Sequence, residues 1–169
     1  VLAGVVGTAC NRLDVSYFSC RGYASQSSMW KAARRLKYAQ DDGKDTVILH
    51  LGDHDPSGID MTRDIEERLD LFMFGDGPVV KRIALNADQI NQHQPPPNPA
   101  KITDPRCDAY IERYGEESWE LDALNPEVIE ELIRDNILAY RDQDVHDQAM
   151  ADQKIYKEVL KTVAKKWKS

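Results

Sequence analysis

Leu2, Val5, Val6, Ala9 and Leu13 recur at the spacing of one helix face, so the chain is expected to open with a helix. Gly4 and Gly7 either weaken that helix slightly or let it pack closely on a sheet. Residues 15–20 are short-range β-branched and aromatic, which predicts a strand ending at Arg21-Gly22. Cap residues at 25–28 precede an apolar stripe of Met29, Trp30, Ala33 and Leu36, with Lys31, Arg34, Arg35 and Lys37 on other faces. Asp41-Asp42-Gly43 ends this second helix. The run Val47-Ile48-Leu49-His50-Leu51 reads as a strand buried on both faces. Met61, Ile65, Leu69 and Phe72 then mark a third helix. Alternation of helix and strand predicts an α/β fold with a mostly parallel sheet flanked by helices.

Gly75-Asp76-Gly77-Pro78 is a turn, and residues 79–85 are the next expected strand. Residues 86–94 suit a short helix carrying Ile90. Pro95-Pro96-Pro97-Asn98-Pro99 is a stiff extended connector and a candidate boundary. Residues 108–114 suit a helical turn. Asn125-Pro126-Glu127 is a helix start, with a cap residue, proline at the first helical position and an acid. Val128, Ile129, Leu132, Ile133 and Ile137 form its apolar face. A last helix runs from about Val145 to Trp167, with Tyr156, Leu160, Val163 and Trp167 as its core stripe. Lys154, Lys157, Lys161, Lys165 and Lys168 line another face, either a solvated ridge or a track for a phosphate backbone. The expected organisation is an α/β domain over 1–124 and a C-terminal helical extension over 125–169.

Composition narrows the class. The 169 residues are 41% hydrophobic and 30% charged, which suits a soluble globular protein with a sizeable core. No apolar run approaches a membrane span and no signal peptide is visible, so no membrane partner is expected. Cys10, Cys20 and Cys107 are isolated and odd in number, which supports neither a zinc site nor a disulfide framework; reduced thiols in a cytoplasm are the simplest reading. A net charge of −7 argues against coating nucleic acid by bulk attraction, but leaves room for a local basic track. The chain begins at Val1, inside what reads as a helix, and is expected to be a fragment.

The candidate chemistry lies in Gly52-Asp53-His54-Asp55-Pro56-Ser57-Gly58. Two carboxylates, Asp53 and Asp55, stand at the carboxyl end of a strand, in the turn before a helix, where open α/β sheets bind ligands. Neighbouring carboxylates repel unless a cation or proton lies between them, and Mg²⁺ is commonly held by one or two carboxylates plus substrate phosphates. The same residues are also good turn chemistry, with Asp and Ser capping the helix. Gly52 would let the backbone approach metal or phosphate, and Gly58 would let the helix start pack near the strand. His54 alternates to the opposite side and is not read as a ligand; His50 reads as a satisfied core histidine. Arg21, at a strand end, either meets a phosphate or pairs with an acid.

The Leu-His-Leu-Gly-Asp-His-Asp-Pro-Ser-Gly stretch resembles the acidic motif of the Toprim domain. The nearest variant is that of the type IIB topoisomerase A subunit, with flanks similar to Toprim-like proteins of bacteria and phages. The resemblance extends through Arg21-Gly22-Tyr23, Arg82-Ile83-Ala84-Leu85, the connector from Pro96 to Lys101, and Trp119-Glu120-Leu121-Asp122-Ala123-Leu124. It implies phosphoryl transfer on nucleic acid, DNA ahead of RNA, dependent on Mg²⁺ or Mn²⁺: strand cleavage, rejoining or primer synthesis. Asp53 and Asp55 would hold the metal, and Arg21 and Lys101 would steady the phosphate. Toprim domains carry a further glutamate at the end of their first strand, and here that strand would precede Val1. Glu120 or Asp122 is a candidate deputy, or an acid facing solvent. No nucleophile is assigned; in the topoisomerase relatives it belongs to a separate domain, so further domains or subunits are expected as partners.

Two other classes compete. One is a non-catalytic Toprim-like module that binds DNA or protein. The other is a phosphatase with Asp53 as nucleophile and Asp55 as acid. Pro-Ser-Gly does not look like the phosphatase signature, and no downstream lysine and acid are well placed.

Overall fold

Alternating helix and strand signals do yield a mixed α/β chain, with a sheet smaller than its pattern suggests. The computed structural model describes residues 2–20 and 22–167. Arg21 and Lys168 therefore lie outside the described residues. The helices are α1 (Leu2–Arg12), α2 (Gln26–Asp41), α3 (Pro56–Phe72), α4 (Ala87–His93), α5 (Cys107–Tyr114), α6 (Pro126–Tyr140) and α7 (Gln143–Trp167). The strands are β1 (Val47–Leu51), β2 (Val79–Ala84), β3 (Asn98–Pro99) and β4 (Glu117–Ser118). The chain divides into two units, one through Arg134 and one from Asp135, inside α6.

In the first unit β1 and β2 pair in parallel, from Val47 opposite Val79 to Leu51 opposite Ala84. A parallel pair needs a crossover, and α3 supplies it. The expected strand at 15–20 does not form. Its β-branched and aromatic residues find no ladder among the described residues, and strand propensity needs packed neighbours to be realised. Tyr17 instead lies over Gly7 of α1, where a Cβ would meet the phenol oxygen at 2.9 Å, so Gly7 accommodates a side chain and not a sheet.

β1 is half-buried along its whole length, not buried on both faces as its apolar run predicted. Its single ladder leaves the other edge without a strand among the described residues. The proline-rich connector also differs from expectation: Asn98–Pro99 pairs antiparallel with Glu117–Ser118 and so belongs to the fold. Proline suits such a short edge strand because it needs no ladder donor.

One core cluster forms where helices α2 and α3 pack together beside β1. Met29, Ala33, Leu69 and Met73 are buried together, with Ile48, Ile65 and Phe72 packed around them. Ser25 caps α2 by accepting from the Ser28 N–H at 3.2 Å. A second cluster of Ala100, Cys107 and Tyr110 packs against Ile59 of α3. Burial of Ile129 and Ile133 agrees with the apolar face read for α6.

The second unit holds the end of α6 and all of α7. No residue of α7 is buried. Its expected core stripe is a correction: Tyr156 is 66% exposed, Leu160 66%, Val163 53% and Trp167 90%. Helical periodicity reports which residues share a face, not whether anything covers that face.

Candidate functional site

The carboxyl end of β1 runs directly into the acidic turn. Gly52 continues the ladder beyond the strand, donating to the Ala84 carbonyl at 2.9 Å and accepting from the Leu85 N–H at 2.7 Å. His54 then exchanges two backbone hydrogen bonds with Trp119, at 2.8 and 3.0 Å. This antiparallel bridge lays residues 119–121 alongside the turn. Sequence-distant acids are thereby brought to one place.

Asp53 Oδ1 accepts the Leu121 N–H at 2.8 Å, leaving Oδ2 for a further partner. Asp55 is the N-cap of α3. Its Oδ1 accepts from the Gly58 N–H at 2.6 Å and from Ser57 Oγ at 3.1 Å. Pro56 occupies the first helical position, where a missing N–H costs nothing. Asp55 is buried, and its Oδ2 lies 3.7 Å from Nζ of the exposed Lys101. The positive end of α3 adds to the field that favours its charge. One oxygen of Asp55 thus serves the helix cap and the other faces Lys101.

Glu120 joins the two aspartates. Burial and the negative charges of Asp53, Asp55 and Asp122 push its carboxyl above the usual range, with Lys101 opposing. Asp122 is itself exposed. The structure therefore brings Lys101 to Asp55 and the segment carrying Glu120 to Asp53.

The glycines at the two ends of the motif do structural work. A Cβ on Gly58 would stand 2.2 Å from the Asp53 carbonyl oxygen and 3.0 Å from Asp55 Oδ1. No side chain fits there, because helix start and acidic turn close on each other. At Gly52 a Cβ would meet His50 at 3.2 Å and Arg82 at 3.3 Å, a side-chain cradle and not an open approach for ligand.

Arg82 is the residue that the sequence reading passed over, naming it only as part of a strand. Its Nη2 donates to the carbonyls of Gly52 at 2.8 Å and Asp53 at 2.6 Å, and its Nη1 to that of Gly58 at 2.8 Å and to Thr62 at 3.2 Å. One guanidinium thus ties both ends of the motif. Burial pulls its pKa down, and the charges of Asp53 and Asp55 hold it up. An arginine directly before the buried Ile83-Ala84 end of the strand is the signal that could have found it, since a desolvated charge must be partnered.

The histidines are packing groups. His54 is buried, with Nδ1 2.8 Å from the Tyr110 hydroxyl and edge-on rings of Tyr110, Tyr114 and Trp119 around it. His50 Nδ1 lies 2.9 Å from Thr62 Oγ1, and burial beside Arg82 lowers its pKa to about 4.

Among the described residues no three His, Cys, Asp or Glu side chains form a ready metal cage. What is present is Asp53, with one oxygen accepting a backbone N–H, and Asp55, with one oxygen in the helix cap and the other 3.7 Å from Lys101. Oxygen donors of this kind suit a hard cation completed by water and phosphate oxygens better than zinc, whose sites usually include His or Cys. No helix among the described residues is long and apolar enough to cross a membrane. No family model, curated protein or solved structure matches the chain.

Proposed function

We propose that the turn from Gly52 to Gly58 is a Toprim-like acidic site that binds Mg²⁺ or Mn²⁺ and acts in phosphoryl transfer on nucleic acid, DNA ahead of RNA. The observation that carries this reading is that Asp53 and Asp55 stand together after β1, with the bridged segment carrying Glu120 bonded to Asp53 and Lys101 3.7 Å from Asp55. Asp53 Oδ2 and Asp55 Oδ2 are the oxygens that hold the ion. A bound divalent ion there supplies neutralisation of charge on a phosphoryl oxygen. Arg82 holds the turn so that both carboxylates keep their aim. Lys101, exposed and loosely paired at 3.7 Å, exchanges Asp55 for an incoming phosphate. Glu120, which burial and neighbouring carboxylates favour in its protonated form, would carry a proton, the role expected of the glutamate that in Toprim domains ends the first strand.

A second reading is a non-catalytic module that binds DNA or protein on the same scaffold. It is favoured by one observation: Asp53 and Asp55 each have one oxygen engaged by backbone N–H groups, so the turn is already satisfied without a metal.

Calorimetric titration of Mn²⁺ separates metal holding from turn structure. The Asp53→Asn, Asp55→Asn double variant is expected to lose binding while keeping its fold; unchanged affinity removes the proposed site. Plasmid nicking that depends on the same residues and on Mg²⁺ supports the enzyme. Metal binding without nicking, alone or with a partner that supplies a nucleophile, favours the module.

A further inference from the structure

Helix α7 carries an apolar face that nothing in its own unit buries. Val145, Ala149, Tyr156, Val159, Leu160, Val163 and Trp167 fall on one side at helical spacing, and all are exposed. A solvated helix of 25 residues, about 37 Å long at 1.5 Å per residue, has little reason to hold so many large apolar groups in line.

The charges along α7 are segregated. From Gln143 to Gln153 the charged side chains are Asp144, Asp147 and Asp152. From Lys154 to Trp167 they are Lys154, Lys157, Lys161, Lys165, Lys166 and the single acid Glu158. Acids at the start and lysines at the end suit the helix dipole, which explains the sign of the segregation but not the apolar face. The same segregation makes the helix complementary to itself when reversed.

We propose that α7 is a self-association surface, pairing antiparallel with α7 of a second copy of this chain. In a register centred on Tyr156, Val145 lies level with Trp167 of the other copy and Ala149 with Val163. The acidic half of each helix then runs beside the basic half of the other, and Asp152 lies beside Lys161. Such a contact is two-fold symmetric and closes on itself, giving a dimer and not a filament. Parallel pairing sets acid against acid and lysine against lysine, and is disfavoured. An anionic membrane would welcome the lysines but be repelled by the aspartates of the first half, so a second copy fits the whole helix better.

Sedimentation velocity of the full chain across micromolar concentrations tests this, first in low salt and then near 1 M NaCl, where the screening length falls to about 3 Å. The expected result is a dimer in low salt whose dissociation constant rises at least about tenfold in high salt, since opposite charges are being screened. The Val159→Glu, Val163→Glu variant, with helicity checked by far-ultraviolet circular dichroism, is expected to be monomeric. A monomer at every concentration in low salt overturns the proposal. So does a dimer strengthened by salt, the sign of like charges in contact, or a dimer that survives the double substitution. Co-sedimentation of a monomeric wild-type chain with anionic vesicles overturns it in favour of a membrane surface. The wild-type salt series needs no variant, so the proposal stays testable if the substitutions disturb folding.

Discussion

Arg82 Nη2 donates to the Asp53 main-chain carbonyl at 2.6 Å, so a residue of β2 fixes the turn that follows β1. The bond is charge-assisted, and the same guanidinium also reaches Gly52 and Gly58. The two carboxylates are therefore aimed by a cation that touches neither of them directly in the hydrogen-bond pattern.

Truncating that arginine leaves several carbonyls without their donor. Arg82→Ala is expected to lower stability by about 2–4 kcal/mol, because hydrogen bonds to a charged group are each worth roughly 1.5–3 kcal/mol and do not add fully. Arg82→Lys keeps the charge but not the fork, and is expected to recover only part of the loss. Urea unfolding of the two variants measures both effects.

Asp55 holds a helix cap and a candidate ligand position in one side chain. Asp55→Asn keeps an acceptor for the Gly58 N–H, so its stability is expected to stay within about 0.5 kcal/mol of the parent. Asp55→Ala loses the cap and is expected to cost about 1 kcal/mol. Mn²⁺ affinity is expected to fall in both, which separates charge from capping.

Glycine substitution discriminates close approach from mere helix placement. Gly58→Ala is expected to cost about 1–3 kcal/mol, since its Cβ would press on backbone at 2.2 Å. Gly4→Ala in α1 meets nothing within 4 Å and is expected to stabilise by about 0.5–1 kcal/mol. Thermal unfolding of the pair reads out opposite signs.

Glu120 imposes a pH dependence. Its folded pKa lies above the ordinary value of 4.5, so just above that pH the folded state binds more protons than the unfolded one. Stability from this group is therefore lost as pH rises from about 4.5 through the raised folded value. Glu120→Gln is expected to flatten that decline in urea midpoints, and bound Mn²⁺ to oppose it by favouring the ionised form.

His50 acts with the opposite sign. Its folded pKa of about 4 lies below the ordinary 6.5, so between these values the unfolded state binds more protons. Its contribution is present above pH 6.5 and is lost as pH falls through 4. A ring-proton titration by NMR is expected to show His50 neutral at pH 5, and His50→Gln to shallow the acid limb of the stability curve.

Much of this arrangement was readable in the chain. The β1 run, the capping reading of Asp55, the start of α6 at Asn125-Pro126-Glu127 and the periodicity of α2 and α3 are local signals, and each became the element it suggested. The strand at residues 15–20 was misread because its preference needed a partner that the fold does not supply. The stripe of α7 was misread as core because periodicity is blind to what lies opposite.

The order of residues by itself determined where Asp53 and Asp55 stand, since a strand, a turn and a helix cap are each set within a few residues. Only the tertiary structure decided what meets them. The His54–Trp119 bridge delivers Glu120, and the β1–β2 ladder delivers Arg82. Both depend on hydrogen bonds between segments far apart in the chain, whose register no local pattern encodes.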